Sequence, residues 1–567
     1  MKRSSFRERG FAFIAAAALL FFGRAPALTV TAVTSDNGYA AHKVQWTDSA
    51  GLTRTAVMVD QNSTRAPYTG YLRQLTYVVN GAIRTCTGSY NYAVDGDLEF
   101  SGDGFVQNHT ASGGDYSTGN GGGTPGTTTI TLQGSSHAII TYNIPTYAIG
   151  GVTIPTTVQW FFADGRSHPI FAISQDASAV GTAGNLGADS RSPYGDMAYD
   201  GATGGDPITG NVVGGYSYGD TYKFVTLATG PEEVTRASAW KATETNTIPY
   251  AMQWINPAQG DAEMGHVATV PISVCDQGID TQTSQYDNPP DLFDPRDKSG
   301  TSLPADNTQA YQIINEAATL PTSGTTNSKR LTWGANWGRV GGFDEYGQYT
   351  SGLTNYSQHS TDPLNQPLQG ARASGLLMAY SVFVVFGPHL GSYETGTVGQ
   401  QVTQMQNAAL ASLSASTGSV KTTGPAGVGN AATTTITYTP AGYNPIYSTW
   451  EVTSSGNAVN ATLTPAASTS LDHPVFVVNN FTAAQLPGTI SVGPGLAYFA
   501  TLDTAGQRLW VTVNSVVTSP VKLFVSGSPA PLADTPTMST WTLALLAVLL
   551  FVVATLRSRG KGWNRAV

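Results

Sequence analysis

Apolar and polar residues alternate along most of this chain, the pattern of half-buried strands. Lys43-Val44-Gln45-Trp46-Thr47 and Ala56-Val57-Met58-Val59 begin the series. Tyr71 to Val79 continues it to Asn80-Gly81, a dipeptide that favours a tight hairpin turn into Ala82 to Cys86. More strands are expected at 129–132, 138–142 and 156–162. Leu376 to Phe386 (LLMAYSVFVVF) is too short to span a bilayer, and its Val and Phe favour a buried strand. The period changes to a helical one over Gly399 to Leu413, with apolar residues at 402, 405, 409, 410 and 413. A second helix is expected over Thr308 to Leu320. Beyond a Gly/Thr/Ala stretch, seven short strands are expected at 434–438, 448–452, 461–463, 475–478, 498–502, 509–513 and 521–525. The expected fold is therefore mainly β. A large β-rich domain covers 28–415 with one or two helices, and 416–432 is a linker. A small immunoglobulin-like β-sandwich covers 433–528.

The two terminal stretches break this pattern. Lys2, Arg3, Arg7 and Arg9 precede an apolar run from Phe11 to Phe22, and Ala25-Pro26-Ala27 has the small-residue form of a cleavage site. Residues 1–27 read as a secretory signal peptide, which makes signal peptidase a partner. Pro529, Pro531 and Pro536 form a stiff lead over 529–537. From Trp541 to Leu556 no residue is charged, and 538–556 is close to the ~20 residues of a membrane-spanning helix. Arg557, Arg559, Lys561 and Arg565 follow, so 557–567 is expected to be cytoplasmic and the body exported.

Pro536-Thr537-Met538-Ser539, Trp541, the apolar span and Arg557-Ser558-Arg559 together resemble the IPTL-CTERM sorting domain of Gram-negative bacteria. Thr535 and Met538 stand where that family has Ile and Leu. The resemblance implies recognition by an exosortase-type membrane transpeptidase. It also implies anchoring first in the inner membrane and then display at the envelope or cell surface. In the body, the Trp160-Phe161-Phe162-Ala163-Asp164-Gly165-Arg166 run and the Tyr380 to His389 run are similar in texture to the galactose-mutarotase-like supersandwich. That likeness implies a large β-sandwich of a kind common in carbohydrate-active enzymes.

Only 11% of residues are charged, against ~25% in an average soluble domain, so the surface is built largely from hydroxyls and amides. The net charge of −9, with no basic cluster outside the terminal stretches, argues against nucleic-acid binding. Cys86 and Cys275 either pair as a disulfide in an oxidising compartment or stay as buried thiols.

Few residues carry recognisable chemistry. Asp164, Arg166 and His168 occupy a turn between two apolar strands, where binding groups often sit, although an Asp–Arg pair would equally stabilise a hairpin. Glu263 and His266 offer an acid and a base, but on a strand positions i and i+3 face opposite sides. Trp160, Tyr216, Tyr218 and Trp254 are candidate sugar-stacking residues. Asp95, Asp97, Glu99 and Asp103 have carboxylate spacing reminiscent of a calcium loop without its full pattern. No cofactor is expected. Two functions follow from these residues. One is a surface protein that binds polysaccharide or other extracellular ligands without catalysis. The other is an exported lyase or hydrolase, which requires Asp164, Arg166, His168, Glu263 and His266 to converge on one concave surface.

Overall fold

The computed structural model describes residues 27–36, 39–61, 70, 72–88, 106–108, 126–144, 148–149, 152–153, 155–176, 188–190, 194–199, 213–219, 224–226, 248, 250–255, 262–270, 331–334, 338–339, 377–390 and 396–526. Two large antiparallel sheets make up its N-terminal part. The first runs in the order Thr29–Asp36, Tyr39–Thr47, Thr53–Gln61, Leu72–Val79, Ala82–Gly88, Tyr194–Tyr199, Leu331–Gly334. Asn80 and Gly81 both have positive φ, as the expected hairpin turn requires.

The second sheet has nine strands, in the order Phe224–Thr226, Val213–Gly219, Tyr250–Ile255, Ala262–Ala268, Leu377–Pro388, Ile170–Asp176, Thr156–Ala163, His137–Ile144, Thr127–Gln133. The two sheets face each other through large side chains. The Trp46 and Phe162 rings lie 5.1 Å apart, and those of Tyr77 and Phe386 6.0 Å apart. Trp160 is fully buried and donates its indole N–H to Gly70 O at 2.6 Å. This is a β-sandwich, with large side chains from both sheets meeting in one core.

Leu377–Pro388 lies in the middle of the second sheet, between Ala262–Ala268 and Ile170–Asp176. Its Phe386 meets the first sheet, while Phe383 and Val385 belong to an apolar cluster on the opposite face. Burial on both faces explains why this strand reads as an apolar run broken only by Ser381.

That opposite face is covered by the helix Thr397–Leu410 (α1) and by a second, C-terminal sandwich. In α1 the buried residues Val398, Val402, Met405 and Ala408 form one stripe. The expected helix ran to Leu413. Instead α1 stops at Leu410, which is exposed, and Leu413 points into the next core from the strand Ser412–Thr417.

The C-terminal sandwich has a four-stranded sheet, Ser412–Thr417, Val459–Thr464, Val521–Val525, Ile490–Gly493. Facing it is a sheet ordered Ser419–Val420, Thr449–Thr453, Val475–Asn479, Arg508–Val513, Tyr498–Asp503. Thr449–Thr453 and Val475–Asn479 run parallel. Six of the seven expected strands appear in these sheets with ends shifted by a residue or two. The seventh, Thr435–Thr437, pairs outside them with Thr423–Pro425.

Segment 416–432 is folded, not an open linker. It contributes the strands Ser419–Val420 and Thr423–Pro425 and a 3-10 turn at Gly429–Thr433. Its glycine content reflects close approach, not flexibility. A Cβ on Gly429 would fall 2.2 Å from Thr157 Oγ1, and Ser174 Oγ donates to Val428 O at 2.6 Å. Among the described residues, no helix is long and apolar enough to cross a membrane. The expected signal peptide up to residue 26, the helix 308–320, the sorting-like residues Pro536, Thr537, Met538, Ser539 and Trp541, and the span 538–556 lie outside the described residues.

Candidate functional site

The candidate acids and bases fall into two separate groups around α1. Glu263 belongs to the first. It is the second residue of the strand Ala262–Ala268, opposite Gly387, and is fully buried. Its Oε1 accepts the backbone N–H of Val398 at 2.7 Å, and its Oε2 pairs with His389 Nδ1 at 2.7 Å. The N-cap of α1 is Gly396, which has no side chain to satisfy the first turn, so a carboxylate from the neighbouring sheet does it. A Cβ on Gly396 would sit 2.9 Å from both carboxylate oxygens, so only glycine lets Glu263 approach. Burial raises the Glu263 pKa, and the hydrogen bonds from His389 and Val398 lower it in part.

Glu263 therefore pairs with His389, a residue the sequence reading did not set beside it. The strand runs unbroken from Ala262 to Ala268, so His266 occupies a register position of opposite parity, beside Ala251 and Val384.

The second group lies at the junction of the two sandwiches. Gly165, at φ 88°, turns the chain between Thr156–Ala163 and Ile170–Asp176. Asp164 stays on the large sandwich, where its Oδ1 accepts Thr47 N–H at 2.7 Å. Burial raises its pKa to about 6 against the opposing effect of backbone N–H donors. Arg166 turns the other way, so the expected Asp164–Arg166 hairpin pair does not form. Its guanidinium donates to three carbonyls of the C-terminal sandwich: Tyr447 at 3.1 Å, Ser448 at 2.7 Å and His473 at 3.4 Å. Burial lowers its pKa to about 10, which leaves it cationic at neutral pH. His168 is pushed down to about 3 by burial, with the Arg54 charge adding to the shift, and is neutral.

His137 and Trp510 complete the junction, and nothing in the sequence singled them out. His137 Nε2 meets Thr512 Oγ1 at 2.8 Å. Its ring stacks on Phe161 with centroids 6.4 Å apart and lies 5.9 Å from Trp510. Burial, then the Arg166 charge, drives its pKa to about 3. Among the described residues, His137 Nδ1 and Trp510 Nε1 have no hydrogen-bond partner. Tyr447 packs on Phe161 and donates to Gln159 across the junction.

A cavity of about 40 Å³ remains between α1 and this turn, lined by Arg166, His168, Gln404, Met405, Ser448 and Asp472 among others. It has room for about two or three waters and is far below the ~300–1,000 Å³ of pockets that take small molecules.

The other candidates divide as follows. Trp160 is a core residue with its N–H satisfied by Gly70, so it offers no stacking surface. Tyr216, Tyr218 and Trp254 sit on the paired strands Val213–Gly219 and Tyr250–Ile255. Cys86 lies in the strand Ala82–Gly88, while Cys275 is outside the described residues, as are Asp95, Asp97, Glu99 and Asp103. Among the described residues no group of three metal-ligating side chains occurs. Comparison with family models, curated proteins and solved structures finds no match.

Proposed function

We propose that this chain is an exported surface protein of a Gram-negative envelope, which binds extracellular carbohydrate through its sandwiches and does not transform it. The carrying observation is the use made of its buried carboxylates. Glu263 and Asp164 accept backbone N–H groups inside the fold, and Arg166 binds three main-chain carbonyls. A glycosidase instead holds two carboxylates across an open cleft. Exposed polar rows suit a weak, extended ligand. Thr127, Thr129 and Thr131 are exposed along the outer strand of the nine-stranded sheet, and Phe524 lies exposed between Asn460 and Ser491 on the small sandwich.

The signal-like N-terminal stretch and the sorting-like residues Pro536 to Trp541, with the span 538–556, supply export and display. On this reading signal peptidase and an exosortase-type enzyme process the chain. The larger sandwich is then supersandwich-like and the smaller one immunoglobulin-like.

The test has two arms. Surface protease accessibility of the full chain in intact cells is compared with that of a variant lacking 535–567. The purified chain is then screened on a glycan array, and bound polysaccharides are assayed for new reducing ends or unsaturated products. Display that depends on 535–567, with binding and no product, supports the reading. Product that disappears in Glu263→Gln would replace it with a lyase or hydrolase.

A further inference from the structure

Lys421, Glu451 and Asn479 meet on three neighbouring strands of the C-terminal sandwich, and no part of the proposed function uses them. Lys421 follows Ser419–Val420, Glu451 is central in Thr449–Thr453, and Asn479 ends Val475–Asn479. Glu451 is 4% exposed. Its Oε2 accepts from Lys421 Nζ at 2.8 Å and from Asn479 Nδ2 at 3.1 Å, so an amine and a carboxamide share one carboxylate oxygen. We propose that this is a site of self-modification, where Lys421 and Asn479 join in an intramolecular amide with Glu451 as the proton carrier.

The chemistry balances without an external reagent. Moving one proton along the Lys421–Glu451 hydrogen bond turns the ion pair into a neutral amine and a carboxylic acid. A half-turn of the Asn479 amide then presents Oδ1 to the acid, which polarises the carbonyl. The Lys421 nitrogen attacks Asn479 Cγ and a C–N bond forms. Glu451 relays the amine proton to the departing Asn479 nitrogen, the old C–N bond breaks and ammonia leaves. Holding the groups on adjacent strands makes the step effectively unimolecular.

A second amide, Asn444, also touches Glu451, at Oε1 and 2.5 Å. Its own Oδ1 accepts Ile446 N–H at 2.8 Å, which fixes its orientation. Asn479 Nδ2 has only a longer second contact, 3.3 Å to Val452 O, and is the amide free to turn.

Mass spectrometry of the folded full chain and of its proteolytic peptides tests this. The expected result is a chain lighter by one ammonia, with a branched peptide joining Lys421 to Asn479. The near-isosteric Glu451→Gln should restore linear peptides and the full mass, and Asn444→Ala should keep the link. Linear peptides only from the folded wild-type chain, or a link from Lys421 to Asn444, would overturn the proposal. If Glu451→Gln fails to fold, Asn479→Asp replaces it. That variant should close the same amide with loss of water, and a folded Asn479→Asp chain without the link overturns the proposal equally.

Discussion

The interior of the C-terminal sandwich and its junction with the large sandwich are both deeply buried, yet they are built from different chemistry. The interior is mostly aliphatic, with Val452, Val459, Leu463, Val478, Val511 and Leu523 closing around Trp450, Phe476 and Phe481. The junction mixes Phe161, Phe383 and Trp510 with His137, Arg166, Tyr447 and Thr512. Aliphatic burial stabilises in proportion to area and is indifferent to direction. Three guanidinium bonds to carbonyls on two separate loops are satisfied in only one relative orientation of the sandwiches. The interior thus folds each half, and the junction sets the angle at which the C-terminal sandwich is held.

Trp510→Ala should test this difference most severely. The indole is 1% exposed and touches Phe161, Tyr447 and His137. Its loss should cost about 3–5 kcal/mol in urea unfolding. It should also separate one cooperative transition into two, because the junction is what couples the halves. A single transition shifted by less than about 1 kcal/mol would make the junction dispensable.

Arg166→Met comes next. It fills similar space but leaves the carbonyls of Tyr447, Ser448 and His473 without their donor, at a cost of about 2–4 kcal/mol by the same measurement. Arg166→Lys should recover less than half of that loss, since one ammonium cannot reproduce the planar fork.

A pH titration separates the two regions with a smaller effect. His137 and His168 have folded pKa values near 3, against about 6.5 when unfolded. Between those values the unfolded chain binds more protons, so their contribution is lost as pH falls below 6.5. Asp164, raised from 3.8 to about 6, acts oppositely: its contribution is present at low pH and is lost as pH rises through 6. In urea midpoints the two histidines give stability an upward slope from pH 4.5 to pH 7, which the raised carboxyls of Asp164 and Glu263 oppose. His137→Gln should flatten this slope, and Asp164→Asn should steepen it.

Much of the fold was legible in the sequence because period reports local burial. Asn80-Gly81 marked its hairpin, the LLMAYSVFVVF run marked a strand covered on both faces, and α1 was visible from residues 402 and 405. The end of α1 was not, because Leu410 and Leu413 continue the apolar pattern into a different element. Segment 416–432 looked like a linker because glycine fits both a flexible chain and a backbone pressed against a neighbour, as Gly429 is against Thr157. The junction was illegible for a different reason. His137 and Trp510 are 373 positions apart in sequence, and each sits in an ordinary strand pattern. Only the docking of the two halves brings them together.

Glu263 gives the smallest effect and the sharpest test of meaning. It fixes the N-terminus of α1 on the large sandwich, while Ala408, further along the same helix, joins the core of the C-terminal one. Gln at this position keeps an oxygen for Val398 N–H and loses the charge facing His389 and the helix dipole, a loss of about 1 kcal/mol. Glu263→Ala removes both acceptors and should cost about 2–3 kcal/mol. The ordering discriminates between roles. A cap tolerates Gln and suffers with Ala, and it changes unfolding without changing what the protein does to a polysaccharide. An acid or base is disabled equally by Gln and Ala at unchanged stability. Parallel urea unfolding and product assays on the two variants therefore show whether this carboxylate serves the helix or a substrate.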